Sequence, residues 1–422
     1  MEIIIKNIKG LVQVETLPVE YVAGPDMSDM RVINNAWLYI KDGLIESFGS
    51  MNSYPGDING VQLIDATGRF VLPSYCDSHT HIVYAGSREI EYKDKIRGLS
   101  YEEIAKRGGG ILNSSRLLQN TSEDELYEQS MRRVNEIISL GTGAVEIKSG
   151  YGLTTASELK MLRVIRRIKE NTPLTVRSTF LGAHAVPDEY KHDRSKYVDL
   201  IINEMIPAVA GEGLADFIDV FCDRGFFTVD ETERILMAGI KHGMRPKIHA
   251  NELAFSGGIQ TGIKYDALSV DHLEFTGEEE IAALKNSKTI PTLLPGASFF
   301  LGMDDPPARK MADSGLPLAL ASDYNPGSSP SGDMKFIMSL ACIRLRLLPE
   351  EALHAATING AYAMGLSETH GTICKGKAAN VYISKEIPSY LFLPYAYGSK
   401  LVDTVILEGK IIDTEDGSNK PW

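Results

Sequence analysis

Cysteine is scarce in this chain: four residues in 422, at Cys76, Cys222, Cys342 and Cys374, widely scattered. No two form a Cys-x-x-Cys pair, which excludes a sulfur metal site and a disulfide framework and points to a reducing compartment, the cytoplasm. No stretch approaches about 18 uninterrupted apolar residues, so no transmembrane helix is expected. The opening Met1-Glu2-Ile3-Ile4-Ile5-Lys6 lacks the long apolar core of a secretory signal. Dense Lys/Arg runs are missing too, and with a net charge of −13 the chain is unsuited to nucleic acid or an anionic membrane. A small anionic substrate needs only one or two well-placed cations and stays open. What is present, 422 residues with 43% hydrophobic content, suffices for one large domain and a smaller one.

Residues 1–69 read as short strands. Trp37-Leu38-Tyr39-Ile40 meets Leu44-Ile45-Glu46-Ser47-Phe48 across Lys41-Asp42-Gly43, a hairpin turn with the Asp-Gly signal. From residue 70 the texture becomes an alternation of apolar strands and amphipathic helices. The predicted strands are Phe70 to Cys76, Ala144 to Lys148, Leu174 to Leu181, Phe217 to Phe221, Pro246 to His249, Ala267 to Asp271, Thr289 to Leu294 and Leu316 to Ala321. Ser122-x-x-Glu125, Thr155-x-x-Glu158 and Thr228-x-x-Glu231 are capping-box patterns that open helices between them. Eight strand–helix units over some 300 residues predict an α/β fold, a (β/α)₈ TIM-like barrel. The interval 82–143 is too long for one crossover helix and is expected to insert over the barrel mouth. After residue 369 short strands return. The predicted organisation is a barrel over 70–369 and a small β-sandwich built from both termini, 1–69 plus 370–422.

Chemistry in such a barrel sits where strands end and loops begin. His79 and His81, two apart at the end of the first strand, point to the same face. His249 ends the fifth strand, with Glu252 three residues on. His272 ends the sixth, Asp323 the eighth and Lys148 the second, and His184 follows the third. Five of the nine histidines lie at strand ends, whereas His192, His242, His354 and His370 fall on loops or helices. His79, His81, His249 and Asp323 make three imidazoles and one carboxylate, a ligand set for zinc or iron at neutral pH. Taken singly, each is an ordinary structural residue; the set is what indicates a metal. Glu252 is either a salt-bridged loop carboxylate or a group within reach of a substrate atom beside the ion. His272 is either a core histidine or the holder of the attacking water. Lys148 is expected to pair with an acid such as Glu146 rather than to bridge a second metal. Arg88, Tyr101, Tyr151 and His184 lie in loops after strands, and an Arg beside aromatic hydroxyls suits a planar carboxylate. Asn325-Pro326-Gly327-Ser328-Ser329 reads as a tight loop exposing N–H groups and hydroxyls. Gly108-Gly109-Gly110 reads as a mobile hinge or a close-approach loop, without the spacing and Lys of a nucleotide-binding loop.

On these residues the chain resembles the metal-dependent amidohydrolase superfamily, whose marks here are His79-Thr80-His81, His249, His272 and Asp323. Narrower motifs resemble the branch that opens an imidazolone ring in histidine degradation. They include Gly86-Ser87-Arg88-Glu89, Arg107-Gly108-Gly109-Gly110-Ile111 and Glu146-Ile147-Lys148-Ser149-Gly150-Tyr151-Gly152. Phe180-Leu181-Gly182-Ala183-His184, Lys247-Ile248-His249-Ala250-Asn251-Glu252 and Ser322-Asp323-Tyr324-Asn325-Pro326-Gly327-Ser328-Ser329 complete the series. Ser78 stands where proline is common and Asn251 where aspartate is frequent; neither is a ligand in the family.

The resemblance implies one zinc or iron ion per subunit on His79, His81, His249 and Asp323, and a homodimer. It implies substrate contacts from Arg88, Tyr101, Tyr151, His184, Glu252 and Ser328, with Asn325, Gly327 and Tyr151 on the opened product. The expected reaction is hydrolysis of 4-imidazolone-5-propanoate to N-formimidoyl-L-glutamate. In it His272 and Asp323 take the proton of the attacking water, and Glu252 protonates the departing nitrogen. One alternative from the same ligand geometry is a deaminase acting on a purine, pterin or cytosine-like ring. The other is a metal-free scaffold on a disused barrel.

Overall fold

The alternation read from the sequence resolves into two sheets in the computed structural model, which describes residues 2–99, 103 and 109–413. The N-terminal segment supplies β1 (Glu2–Val12), β2 (Val32–Lys41), β3 (Leu44–Ser50), β4 (Gln62–Asp65) and β5 (Arg69–Pro73). The parallel sheet follows as β6 (Tyr75–Thr80), β7 (Thr142–Lys148), β8 (Thr175–Ala183), β9 (Phe217–Cys222) and β10 (Arg245–Ala250), then β11 (Ser269–His272), β12 (Ile290–Leu293) and β13 (Ala319–Leu320). The C-terminal segment returns to the first sheet with β14 (Val381–Glu386), β15 (Val402–Leu407) and β16 (Lys410–Ile412).

In the first sheet β14 lies against β5, and β5 against β1, so the two ends of the chain are joined by backbone hydrogen bonds. β1 pairs with β4 through its first half and β5 through its second, around a bulge between Ile5 and Ile8 where Asn7 is left-handed at φ 56°. Ile3, Ile5, Ile8, Leu38, Val381 and Ile406 form a core separate from that of the barrel. The predicted hairpin is present: Lys41 faces Leu44 across Asp42-Gly43, both with positive φ, the geometry of a two-residue type I′ turn.

The predicted first barrel strand, Phe70 to Cys76, is in fact two strands belonging to different sheets. Arg69–Pro73 pairs with β1 and β14, while Tyr75–Thr80 pairs with β7. An apolar run shows that a segment is buried, not in which sheet. β6 to β13 are each hydrogen-bonded to the next in chain order, the right order for a barrel. The seam between last and first strands is closed just beyond β13. Asp323 N–H donates to His79 O (3.0 Å) and His81 N–H to Tyr324 O (2.9 Å). Ser322 N–H donates to Asp77 Oδ1 at 2.9 Å across the same seam.

The helices pack outside by their apolar stripes; Thr155–Asn171, for example, buries Met161, Leu162, Val164, Ile165 and Ile168. Ser122 caps Glu123–Ser139 through Glu125 N–H, and Thr228 and Glu231 form a complete capping box on Val229–Lys241. The Thr155-x-x-Glu158 pattern is not a capping box. Thr154 is the cap, and Glu158 instead accepts N–H bonds from Gly150, Gly152 and Leu153, tying down the loop after β7. Between β6 and β7 the helices Glu89–Ile96 and Ile111–Asn120 precede the crossover helix Glu123–Ser139, as the length of that interval required. Among the described residues no helix is long and apolar enough to cross a membrane.

Candidate metal centre

The chain turns sharply at the C-terminal ends of the barrel strands. Asn251, His272, Leu273 and Asp323 all have positive φ (57°, 85°, 74° and 53°), a conformation costly for side chains with a Cβ. Residues from three strands meet at one centre. His79 comes from β6 and His81 from just past it, His249 from β10, and Asp323 from beyond β13.

Ligand atoms of His79, His81 and His249 all lie within 4.8 Å of one another, and the three residues are buried. His81 Nε2 and His249 Nε2 are 3.4 Å apart, and Asp323 Oδ1 is 3.6 Å from His79 Nε2 and 3.7 Å from His81 Nε2. Four ligands at about 2.0–2.1 Å around a tetrahedral ion would be spaced about 3.4 Å apart. These three spacings are close to that value, and no pair of ligand atoms among the three histidines exceeds 4.8 Å. His79 Nδ1 lies 2.6 Å from Asp271 Oδ2 and His249 Nδ1 2.9 Å from Asp219 Oδ2. Asp271 accepts a hydrogen bond from His79 Nδ1–H, which leaves the Nε2 lone pair facing the centre, and Asp219 lies beside the corresponding nitrogen of His249. His79 Nε2 is buried with no hydrogen-bond partner among the described residues. Burial holds the His79 and His81 imidazoles well below the ordinary histidine range, with Lys148 adding to the effect on His79 and His184 on His81. Neutral imidazoles with orphaned lone pairs beside a carboxylate fit a cation.

Beneath the centre lies a charge network with no exposure to solvent. Lys148 Nζ contacts Glu146 Oε1 (2.5 Å) and Asp219 Oδ2 (2.8 Å), with Asp271 Oδ2 at 3.7 Å. Lys247 also contacts Glu146 and donates to Ser78 O at 2.9 Å. Burial opposes a charge on Lys148, but Asp219, Glu146 and Asp271 together hold it above the ordinary lysine value. Lys148 therefore pairs with acids, as expected, and sits behind the histidines rather than among the ligands.

Above the centre opens a cavity of about 830 Å³. Its walls include His81, His249 and Asp323 together with Arg88, Tyr151, His184, Glu252, His272, Asn325, Gly327 and Ser328. Of the candidate site residues only His79, sealed below at 0% exposure, is absent from this wall among the described ones. Tyr101 lies outside the described residues, as do Arg107 and Gly108 of the glycine motif. The His184 ring stacks on that of His81, centroids 5.2 Å apart, and its Nδ1 donates to Gly150 O at 3.0 Å, leaving Nε2 as an acceptor. Burial pushes the His184 imidazole down to about 3.

Arg88 ion-pairs with Glu91, Nη2 to Oε2 at 2.7 Å, and lies against Gly327, where any Cβ would stand 2.0 Å from Arg88 Nη1. The loop after Asp323 departs from its expected form. Its Gly327 and Ser328 N–H groups are not open to an anion; both donate to Asn325 Oδ1 at 2.8 Å. Asn325 Nδ2 donates to Asp323 O (2.6 Å) and Ser328 Oγ to Asp323 Oδ2 (3.1 Å), so the loop braces the Asp323 carboxylate.

Glu252 Oε2 lies 3.8 Å from His272 Nδ1. Burial, then the charges of Asp323 and Asp223, push its carboxyl up to about 8, so it carries a proton at neutral pH. Asp323 is likewise pushed up to about 8 by burial, against the hydrogen bonds from Ser328 and Asn325; a cation beside it reverses that balance. Four carboxylates in this region had escaped the sequence reasoning. Asp271 and Asp219 lie against His79 and His249, Asp223 Oδ2 accepts Glu252 and Leu253 N–H (2.7 and 2.9 Å), and Glu274 lines the cavity. The available signal was position: Asp271 precedes His272, and Asp219 sits within an otherwise apolar strand, where a carboxylate needs a partner.

The amidohydrolase family profile matches residues 70–412. The imidazolonepropionase of Christiangramia forsetii is 57% identical over 412 residues, 98% of this chain and 100% of that protein. That of Geobacillus kaustophilus is 43% identical over 92% of each chain. Among solved structures, a guanine deaminase from C. acetobutylicum with bound guanine superposes with a TM-score of 0.73 at 15% identity, covering 98% of this chain and 100% of that one. A zinc-bound adenosine deaminase from Xanthomonas campestris gives 0.69 at 15%, covering 97% of this chain and 92% of that one. At such identity these two share the fold alone.

Proposed function

The chain belongs to the amidohydrolase family and, within it, to the imidazolonepropionases; from that membership we infer its reaction, the hydrolytic ring opening of 4-imidazolone-5-propanoate to N-formimidoyl-L-glutamate. It is a hydrolase acting on the C–N bond of a cyclic amide. The observation that carries this is the 57% identity over nearly the whole of both chains. The deaminase alternative rests on structures at 15% identity, which speak to the barrel and not to the substrate.

His79, His81, His249 and Asp323 are the residues that would hold one ion, zinc or iron. Bound there, such an ion supplies Lewis acidity, lowering the pKa of water from about 15.7 toward ~7 and polarising a carbonyl. His272, kept neutral by burial, accepts a proton from the attacking water together with Asp323. Glu252, protonated at neutral pH, gives its proton to the departing ring nitrogen. Arg88 holds the propionate tail, Glu91 fixing one edge of the guanidinium and Gly327 giving it room. Tyr151, His184 and Ser328 contact the ring; Asn325, Gly327 and Tyr151 contact the opened product, and Tyr101 is a further contact. The terminal sheet, whose strands lie within Glu2–Pro73 and Val381–Ile412, serves as a buttressing domain beside the catalytic barrel. The protein works as a cytoplasmic homodimer on a small anionic substrate, consistent with its four free cysteines.

The test is ultraviolet monitoring of imidazolonepropanoate with purified protein, before and after chelation. Turnover that chelation abolishes and zinc or iron restores supports the reading. Ammonia release from guanine or a pterin, with no loss of imidazolonepropanoate, overturns it.

A further inference from the structure

Glu274 has no part in the roles assigned above, yet its surroundings are unusual. Its side chain is 1% exposed, and neither carboxyl oxygen has a hydrogen-bond partner among the described residues. Oε2 stands 4.0 Å from His272 Nδ1, itself buried and without a partner among them, and Glu252 Oε2 approaches the same nitrogen to 3.8 Å. The residue lines the 830 Å³ cavity, aimed there by the left-handed turn at His272 and Leu273 (φ 85° and 74°). Three orphaned polar atoms on one wall, in a strained turn, are not a solution for stability. Buried donors and acceptors are almost always paired, and an exception calls for something that pairs them in the working state.

We propose that Glu274 is a substrate-binding residue whose unpartnered carboxyl hydrogen-bonds a nitrogen of the heterocyclic ring. This rests on the reaction inferred above. Burial first, then Glu252 beside it, raises the Glu274 carboxyl well above the ordinary carboxylate range, which favours its protonated form. An uncharged carboxyl offers both an O–H donor and a C=O acceptor. The substrate ring carries one N–H and one bare nitrogen, which tautomerism exchanges, and such a group meets either form. A carboxylate could only accept; a lysine or arginine could only donate. The division of labour is then Arg88 for the tail and Glu274 for the ring.

The test compares the metal-loaded parent with Glu274→Leu and Glu274→Gln. Binding of imidazole-4-propanoate, which has the tail and two ring nitrogens but no amide to cleave, is measured by calorimetry beside KM and kcat for imidazolonepropanoate. The expected result for Glu274→Leu is at least tenfold weaker binding and a higher KM, with parental metal content. Its melting temperature is expected to match or exceed the parent's, since an unpaired polar group has become apolar. Glu274→Gln, which keeps a donor and an acceptor, is expected to recover most of the binding that Leu loses. Parental binding by Glu274→Leu, or a lowered melting temperature with unchanged binding, overturns the proposal in favour of a structural role. Binding by Glu274→Gln as poor as by Leu overturns it in favour of a group that must ionise. A parent that binds the probe but does not turn over imidazolonepropanoate counts against the reaction, not against Glu274.

Discussion

Single side chains divide into those that meet the substrate and those that hold others in place, and mutation separates them. Arg88→Ala is expected to raise KM for imidazolonepropanoate by at least tenfold with little change in kcat, because it removes uniform binding of the tail. Glu252→Gln is expected to lower kcat by about 10²–10⁴ with metal content unchanged, since proton delivery is made only in the transition state. Steady-state kinetics on both variants checks the split; equal effects on both parameters would defeat it. Asp271→Asn is expected to weaken metal retention by about 10–100-fold, read by chelator competition, because His79 loses the acceptor that fixes its tautomer. Far from the centre, His370 offers a pH test. Burial holds its imidazole down to about 4, against about 6.5 when unfolded. Below pH 6.5 the unfolded chain binds a proton that the folded one refuses, so stability is full above that pH and falls towards pH 4, by about 2 kcal/mol at pH 5. Denaturant unfolding of His370→Gln at pH 7 and 5 should show a smaller difference than the parent's. The convergence of His79, His81 and His249 was legible in the sequence because His79-x-His81 announces itself and strand ends are where a barrel keeps its chemistry. Asp219, Asp271 and Glu274 were not, because a lone acid in a strand declares its function only once its partner is in place.

At the level of elements, local signals were read well wherever the sequence carries its own stop and start. Thr228 and Glu231 cap Val229–Lys241 as their spacing said, and Thr228→Ala is expected to cost about 1 kcal/mol in denaturant unfolding. The turn at Asp42-Gly43 was also legible, and a second stands at Glu408-Gly409. Their packing against each other was not: a Cβ on Gly409 would stand 3.0 Å from Gly43 Cα. Gly409 also has φ 68°, so Gly409→Ala meets both a disfavoured backbone and a clash. The two failures share a cause. Phe70 to Cys76 looked like one strand, and Thr155-x-x-Glu158 like one cap, because burial and spacing are local while the choice of sheet or of bonding partner is not. Glu158 spends its carboxylate on the loop that leads to Tyr151, a tertiary demand that overrides the helical one.

For the whole molecule, removing the metal is expected to do more than stop turnover. A ligand present at 1,000 times its dissociation constant stabilises the folded state by about 4 kcal/mol. Calorimetry before and after chelation should therefore show a lower melting temperature, recovered when zinc or iron is returned; an unchanged one would mean that the four groups hold nothing. The seam of the barrel gives this a direction. His79 belongs to the first barrel strand, His81 to its end and Asp323 to the turn after the last, and the same residues carry the backbone bonds that shut the cylinder. Ion capture and ring closure are thus one event. A nascent chain emerging from the ribosome could not retain its ion until some 240 further residues had followed His81, which places metallation among the last steps of maturation.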